Sequence, residues 1–369
     1  MRLLGEGQTI RETYEVERFI GEGAFAEVYR VRHRFLGRQA MKIFKTPGMN
    51  VAEVEQTLAE AILLSKIGHP NIIRVFDANT LQRDDGSYGY FTMEYVAGGS
   101  LDDFWRSHGS RFVPVETVVE VMKQVCRGLA TAHGEKPPIV HRDIKPQNVL
   151  VGYEADGLRT RISDFGLAKR ANPLTFLASA RGTRCFKAPE ALQDWFSDSC
   201  AGDVWALGIT MYLLLTDRLP FAPPATAGED AAPCFDEPPM SPGRLNATVD
   251  SQIEAIVRRA LRPDPGERYR TAGEMLRDLD VWQPGGHKDG HAELAATLSG
   301  RASKEILGTR PPLDNRDARS KAQEALRLAR EAGRLIEAAD LMEEAFIDSP
   351  PLREQYENRV RLWRRGVAM

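Results

Sequence analysis

Two short polar strings in the middle of the chain constrain its fold more than any other feature of the sequence. Residues 141–148 read HRDIKPQN, and the triplet DFG begins at Asp164, sixteen residues after Asn148. A carboxylate such as Asp143 can orient a hydroxyl group and accept its proton, while oxygens of Asn148 and Asp164 can ligate Mg²⁺, a hard cation that prefers oxygen. A lone aspartate is most often a helix cap or a solvated charge, but this spacing is hard to obtain by chance. The strings therefore predict a phosphoryl-transfer site, which positions the nucleophile and neutralises phosphate charge.

A glycine-rich turn and a lysine predict how phosphate groups would be held. Residues 21–28 read GEGAFAEV between two strand patterns, where backbone N–H groups of a hairpin can cover phosphates. Considered alone, such a glycine-rich turn is more often an ordinary hairpin turn that binds no ligand. Lys42 strengthens the interpretation, because it lies on the next apolar strand and faces opposite to Met41. Glu60, on the helix that comes next, is expected to pair with Lys42, although either residue alone would be interpreted as a solvated charge.

Composition limits the class of protein and its partners. The 369 residues allow more than one compact domain, and 49 basic against 52 acidic residues give a net charge of −3. No attraction to nucleic acid or to an anionic membrane is expected from that balance. Four widely spaced cysteines predict reduced thiols, with neither a disulfide nor a metal cluster; they are Cys126, Cys185, Cys200 and Cys234. With no apolar signal region and only a short apolar run at 204–215, we expect a soluble cytoplasmic protein.

Hydrophobic periodicity divides the chain into a sheet region and a helical region. Apolar and polar residues alternate between residues 14 and 44, with glycines between them, as in strands joined by tight turns. The spacing becomes helical over 51–67, and the sequence HPN at 69–71 ends that helix. After a further strand pattern at 90–95, Gly98 and Gly99 mark a break, and the chain beyond Leu101 is predicted to be mostly helical. The pattern indicates an α+β fold, with a small antiparallel sheet lobe containing one helix and a larger helical lobe.

The last third of the chain contains two irregular regions and a helical tail. Residues 220–242 hold seven prolines and are predicted to form a loop. A polar, Gly-rich stretch at 284–316 is interpreted as a linker. Small and apolar residues then recur at helical spacing on both sides of Gly333, which predicts an α-helical hairpin. Its spacing before Pro350 resembles a tetratricopeptide unit, and a third helix is expected over 352–363.

Two interpretations of this tail stay open. It would either brace the main body, which we favour, or dock a partner. The terminal arginines are interpreted as a solvated face near a helix C-terminus; they are Arg359, Arg361, Arg364 and Arg365.

The order of the motifs resembles that of a eukaryotic-type (Hanks-type) serine/threonine protein kinase, and a bacterial source is expected. The resemblance covers residues 14 to about 283 and implies the bilobal kinase fold, with an N-lobe at 14–96 and a C-lobe at 97–283. Residues 1–13 would be an N-terminal extension, 284–316 the linker and 317–369 the tetratricopeptide-like tail. ATP and Mg²⁺ are the implied cofactors, and proteins with Ser or Thr acceptors the implied substrates. The Lys145-Pro146 pair is similar to that of serine/threonine kinases.

The resemblance also implies roles for single residues. Asp143 would be the catalytic base and Lys145 a contact to the transferring phosphate. Asn148 and Asp164 would hold the metal, and Lys42 with Glu60 would form the phosphate clamp. The implied nucleotide contacts are Gly21, Glu22, Gly23, Ala24, Phe25, Val28, Ala40, Lys42, Met93, Glu94, Val96 and Leu150.

Three further implications concern the larger lobe. The sequence Ala188-Pro189-Glu190 would close the activation segment, with Glu190 paired to Arg268. Asp203 would brace the backbone of the catalytic loop. Arg142, unpaired as far as the sequence shows, would capture a phosphate on the activation segment, with Thr175 and Ser179 as the acceptors and Thr183 as a structural hydroxyl.

The sequence departs from the family pattern at three places. Ala26 replaces the third glycine of the turn, Arg184 replaces a proline after Gly182-Thr183, and the proline-rich stretch falls where a substrate-docking helix is usual. These departures affect the specificity for the protein substrate.

Two other functions stay open: a nucleotide-binding scaffold acting through its tail, and a kinase of small molecules such as aminoglycosides. The segment from Gly182 to Glu190 disfavours the latter, because it builds a platform for a polypeptide.

Overall fold

The computed structural model describes residues 2–23, 25–109, 111–165, 184–194, 197–221, 235, 237–284 and 315–368. The described chain divides into two compact units. The first, the sheet unit, contains residues 2–96 and 163–165. The second, the helical unit, contains residues 97–162 and the described residues from 184 onward.

The sheet unit is built on one six-stranded antiparallel sheet. Its strands are β1 (Thr9–Ile10), β2 (Tyr14–Glu22), β3 (Ala26–His33), β4 (Gly37–Pro47), β5 (Val75–Arg83) and β6 (Gly86–Glu94), in the order β1-β2-β3-β4-β6-β5. Alternate residues such as Val31, Met41 and Tyr90 are buried in its core, which is the reason for the apolar and polar alternation in the sequence. The predicted antiparallel sheet is confirmed, and Leu4 and Ile10 of the N-terminal extension also join its core.

The single helix predicted over 51–67 is two short helices. Helix α1 (Val51–Thr57) starts from a capping box between Asn50 and Glu53, and α2 (Ala59–Ile67) ends at Gly68, which has a φ of 71°. Leu58 lies between them, and its N–H group donates to the carbonyls of both Val54 and Glu55. That local tightening interrupts the α-helical ladder while Leu58 stays buried.

The helical unit is organised around one buried helix. Its elements before the tail are α3 (Leu101–Arg106), α4 (Val115–His133), α5 (Pro189–Gln193), α6 (Cys200–Thr216), α7 (Pro242–Leu245), α8 (Ser251–Ala260) and α9 (Ala272–Val281). The apolar run at 204–215 lies in α6, where every residue from Asp203 to Thr216 is buried. Helices α4, α8 and α9 pack around it. No helix in the described part of the chain is both long and apolar enough to cross a bilayer.

A β-hairpin interrupts this helical unit, and the sequence interpretation missed it. Strand β7 (Val149–Glu154) begins directly after Asn148 and pairs antiparallel with β8 (Gly157–Ile162). Gly157 has a φ of 131°, a conformation that glycine adopts without strain. The Asp156-Gly157 dipeptide between two β-branched stretches was the signal that could have predicted it.

The C-terminal region is helical, as expected. Helices α10 (Asn315–Leu328), α11 (Leu335–Asp348) and α12 (Pro350–Arg364) follow one another. Alanines and a few large side chains form their shared core, and Tyr153 of β7 belongs to the same cluster. Residues 285–314 of the predicted linker, and Pro223, Pro224 and Pro233 of the predicted loop, lie outside the described residues. Helix α10 begins at Asn315, two residues before the predicted start of the tail.

Candidate active site

Three predicted site residues meet in the loop before β7. The Lys145 Nζ atom lies 2.9 Å from Oδ2 of Asp143. The amide nitrogen of Asn148 donates to both the backbone carbonyl and Oδ2 of Asp143, at 2.7 and 2.9 Å. A short 3-10 turn over Pro146–Asn148 returns Asn148 toward Asp143, and Pro146 is well placed in the first turn because it has no N–H group to satisfy. The Asp143 carboxylate is thereby oriented by two donors.

The side chain of Asp203 holds this loop by accepting hydrogen bonds from the backbone of the loop. The carboxylate accepts the N–H groups of His141 and Arg142 at 2.7 and 2.8 Å and faces Nε2 of His133 at 3.1 Å. Asp203 is fully enclosed, and burial acts to raise its pKa. The His133 ring and the backbone donors outweigh burial and hold that pKa below its ordinary value. The predicted brace between Asp203 and the loop is confirmed.

His133 is a member of this network that the sequence interpretation missed. Its Nδ1 atom accepts the N–H group of Ala272, so one ring ties α4, α6 and the start of α9 to the loop. Its position as the last residue of α4 gave no signal, because a buried histidine is usually a packing residue.

The Arg142 guanidinium has partners in this structure, which corrects the prediction that it is unpaired. Its Nε atom lies 3.4 Å from the Asp198 carboxylate, and Nη1 donates to the carbonyl of Val140. Lys187 donates to the Arg142 carbonyl at 2.7 Å. Burial raises the pKa of Asp198, although the charges of Lys187 and Arg142 act in the opposite direction. The three expected hydroxyls Thr175, Ser179 and Thr183 lie outside the described residues.

The sheet unit contains the second charged cluster. Lys42 lies on β4 opposite Phe91, and its Nζ atom forms a 2.7 Å ion pair with Oδ2 of Asp164. Glu60 lies half-buried in the first turn of α2. The pair between Lys42 and Glu60 remains a prediction, and the ion pair that the structure gives to Lys42 is with Asp164.

Backbone strain is found at both clusters. Arg142 and Asp164 have φ angles of 70° and 65°, in the left-handed region that non-glycine residues rarely adopt. Such strain persists only where the surroundings impose it and is concentrated at functional sites. For Arg142 the imposing contact is the pair of hydrogen bonds from residues 141 and 142 to Asp203.

The predicted nucleotide contacts fall on neighbouring strands and on β7. Gly21 pairs with Val28 across the β2–β3 hairpin, and Ala40 pairs with Met93. Leu150 of the helical unit forms a bridge with Ser100. The other described members lie in or next to these strands, and Ala24 lies outside the described residues; they are Glu22, Gly23, Phe25, Glu94 and Val96.

The donor chemistry of the predicted metal ligands fits Mg²⁺. Because the Asn148 amide nitrogen faces Asp143, a metal held by Asn148 would be bound through Oδ1. Asp164 of the sheet unit, the other predicted ligand, carries a carboxylate, and Mg²⁺ prefers oxygen ligands of both kinds. Bound Mg²⁺ would neutralise charge on phosphate groups.

An internal ion pair supports the segment that leads into α6. Arg268 forms a bidentate pair with Glu190 at 2.7 Å for both contacts, and its guanidinium also lies over the Trp205 ring. The predicted pair is confirmed. A planar guanidinium matches both carboxylate oxygens, so the pair fixes orientation as well as charge.

Comparisons with known proteins are consistent with this geometry. A family model described as a protein kinase domain matches residues 14–278. Serine/threonine-protein kinase PrkC of Bacillus subtilis is 32% identical over 277 residues, covering 74% of this chain and 41% of PrkC. A probable serine/threonine-protein kinase of Clostridium perfringens is 32% identical over 280 residues, covering 74% of this chain and 39% of the relative. The chain thus spans about two fifths of the length of these relatives.

A similar fold occurs in a solved structure. The PknI kinase domain of Mycobacterium tuberculosis matches with a TM-score of 0.55 and 24% identity, covering 75% of this chain and 98% of that domain. At this identity the match bears on the fold alone.

Proposed function

The chain belongs to the protein kinase family, and we propose that it transfers the γ-phosphoryl group of ATP to serine or threonine hydroxyls of proteins, with Mg²⁺. The single observation that carries this proposal is the contact set around Asp143. A carboxylate bonded by Lys145 and Asn148 is oriented to accept a hydroxyl proton, and the lysine can stabilise charge on the phosphate.

Each remaining site residue has a role in the proposed reaction. Asn148 Oδ1 and the Asp164 carboxylate would hold Mg²⁺, and Lys42 would bind phosphate oxygens. Since Lys42 pairs with Asp164 in this structure, nucleotide binding would exchange that pair for contacts to phosphate and metal. We include Glu60 as the residue expected to hold Lys42 after that exchange.

The test is phosphorylation of a generic protein substrate with ATP and Mg²⁺. Wild type should form phosphoserine or phosphothreonine, and Asp143→Asn should lower kcat by about 100-fold or more, because it removes the proton acceptor. Asp84→Asn, at an exposed turn of the sheet unit, is the matched control and should keep wild-type activity. Undiminished labelling in Asp143→Asn would falsify the role of Asp143. A wild type that binds Mg·ATP without turnover would favour the scaffold function instead.

We extend the proposal to the C-terminal helices, to the activation segment and to the site of action. The C-terminal helices are proposed to be a tetratricopeptide-like hairpin with a third helix, acting as a brace. Its support is the cluster shared with Tyr153 and the small residues between α10 and α11. We also propose phosphorylation of Thr175 or Ser179 by the chain itself, and action in the cytoplasm, where the free thiols of Cys126, Cys185 and Cys200 would stay reduced.

A further inference from the structure

The outer edge of β7 is covered in two different ways along its length. Near its start, Val151 donates its N–H group to the carbonyl of Gly99 at 2.8 Å, and Leu150 bridges to Ser100. Two residues later the covering group is a side-chain pair. The Tyr153 N–H group donates to Oε2 of Glu343 at 3.2 Å, and Nε of Arg364 donates to the Tyr153 carbonyl at 3.0 Å. Glu343 and Arg364 therefore take the place of a neighbouring strand at an edge that would otherwise need one.

The same glutamate lies beside the segment that follows residue 96. A Cβ atom added to Gly98 would lie 2.3 Å from the Val151 carbonyl oxygen and 3.4 Å from Oε2 of Glu343. The chain at Gly98 is thus packed tightly between β7 and α11. At Gly99, with a φ of 78°, an added Cβ atom would lie 2.9 Å from Cδ1 of Ile347. Helix α11 covers the glycine pair with two side chains one turn apart.

The pair is internal and is held by its own neighbours. The Glu343 side chain is 1% exposed and that of Arg364 is 18% exposed. Arg364 Nη2 reaches Glu343 Oε1 at 2.6 Å and Asp340 Oδ1 at 2.7 Å. Burial raises the pKa of Glu343 to about 7, although the Arg364 guanidinium acts in the opposite direction. These contacts correct the prediction of a solvated arginine face at Arg364, whereas Arg359 and Arg365 are exposed as predicted, although Arg365 donates to the carbonyl of Ala155.

Strand β7 connects this pair to the proposed site. Asn148, the proposed metal ligand, immediately precedes β7, and Leu150, the proposed nucleotide contact, is its second residue. The glycine pair begins two residues after Val96, another proposed nucleotide contact. We propose that Glu343 is a positioning residue for Mg·ATP, which holds β7 and the glycine pair in register so that Leu150 and Asn148 face the nucleotide. This inference rests on the proposed kinase function and assigns the tail a part in nucleotide binding.

The two side-chain oxygens of Glu343 suit this position because both act as hydrogen-bond acceptors. Glu343 accepts from the Tyr153 N–H group with one oxygen and from Arg364 with the other. In Glu343→Gln, one of these donors would face an NH₂ group, which cannot accept. The isosteric change therefore breaks one contact while keeping the packing volume.

The test compares full-length wild type with Glu343→Gln and Ile347→Ala, and uses Glu354→Gln as a matched control. Glu354 pairs with Arg111 across the same interface, but both side chains are more than half exposed, so little effect is expected. Direct binding of Mg·ATP, steady-state kinetics and the melting temperature are measured for each. We expect Glu343→Gln to raise Kd and KM for Mg·ATP about fivefold, the size of one lost buried hydrogen bond. Ile347→Ala, which trims an apolar contact, should raise both constants by a smaller factor, and kcat should change less than twofold in either variant.

The outcomes separate a positioning role from a purely structural one. Lower melting temperatures with unchanged Kd and KM in both variants would overturn the proposal and leave only a brace. Ile347→Ala decides the matter if Glu343→Gln does not fold, since it trims only a half-buried side chain over Gly99. If wild type binds Mg·ATP without transferring phosphate, only the proposed function is overturned. The Kd values of wild type and the variants for Mg·ATP can still be compared, and they still test the positioning role. Wild type that does not bind Mg·ATP would overturn both.

Discussion

Two buried carboxylates perform the same structural task in different parts of the helical unit. Asp203 on α6 and Glu343 on α11 each accept backbone N–H groups from a neighbouring segment, and each faces a basic side chain. Their pKa values nevertheless move in opposite directions, below the ordinary value for Asp203 and up to about 7 for Glu343. Asp203 accepts two short backbone bonds, whereas Glu343 accepts one longer bond and lies near the Asp340 carboxylate. Burial acts to raise the pKa of both carboxyls, and the number of donors and the sign of neighbouring charges decide whether it is outweighed, as at Asp203, or not, as at Glu343.

Breaking the Asp203 network should have the largest effect. Asp203→Asn replaces one acceptor oxygen with an NH₂ group that faces a backbone donor, and the strained backbone at Arg142 loses support. We expect a loss of about 3 kcal/mol in the free energy of unfolding, measured with urea, and a kcat at least about 100-fold lower. Asp280→Asn, at a half-exposed carboxylate, serves as the control. Near-normal kcat in Asp203→Asn would mean that the loop is held by other contacts.

Removing the Arg364 guanidinium, the cation beside Glu343, should have the second largest effect. Arg364→Met keeps most of the side-chain volume but leaves Glu343 buried without its guanidinium and removes the bond to the Tyr153 carbonyl. We expect the free energy of unfolding, measured with urea, to fall by about 2 to 3 kcal/mol, because the buried charge of Glu343 loses its cationic partner. Arg359→Met changes an exposed arginine on the same helix and should stay within about 0.5 kcal/mol of wild type. Equal effects for the two substitutions would contradict the internal role of Arg364.

The opposite pKa shifts give opposite dependences on pH. The folded-state pKa of Glu343 lies above its ordinary value, so its contribution to stability is complete below the unfolded pKa of 4.5 and is lost as the pH rises through about 7. The free energy of unfolding of wild type, relative to that of Glu343→Gln, should therefore fall by on the order of 2 kcal/mol between about pH 5 and pH 8. Asp203 contributes above its unfolded pKa of 3.8, and that contribution is lost only as the pH falls below it. Urea unfolding at both pH values checks this, and a difference that stays constant would show that Glu343 does not titrate in that range.

The smallest effect is expected at Arg365, an exposed residue next to the buried pair of Glu343 and Arg364. Arg365 donates to the Ala155 carbonyl at 2.8 Å, but the bond is exposed to water. Because water can replace an exposed donor, Arg365→Met should cost no more than about 0.5 kcal/mol. Thermal melting is sufficient to compare it with Arg364→Met. A cost as large as that of Arg364→Met would show that the whole turn of β7 and β8, and not the buried pair, holds the tail.

The comparison also indicates which parts of the molecule could be predicted. The contacts among Asp143, Lys145 and Asn148 in the HRDIKPQN string are local, because the three residues lie within six positions of one another. Strands β2, β3 and β4 were predictable because their alternation follows from one buried face, whereas β1 and β5 were not predicted, and β5 shows no such alternation. Helix α6 was recognisable as an apolar run, although only the fold shows that it is the central core helix.

Contacts between distant segments were harder to predict. Arg364 looks like any arginine at the end of a helix, and its partner Tyr153 lies more than 200 residues earlier, on a hairpin that the interpretation missed. The expected pair between Lys42 and Glu60 rests on family resemblance, whereas the structure pairs Lys42 with Asp164. A charge has several possible partners in the sequence, and its choice depends on which of them the fold brings within a few ångströms.

The sequence by itself therefore determined the set of residues from which the chemistry is proposed, since the residue types at 141–148 and 164 and their spacing predict phosphoryl transfer without reference to the rest of the fold. Only the tertiary structure decided how that set is supported. Asp203 reaches the loop from a helix about sixty residues away, and Glu343 reaches β7 from the tail, 190 residues beyond Tyr153. The physical reason is that backbone hydrogen bonds carry no side-chain signature, so the residues that satisfy them can be identified only once the chain has folded.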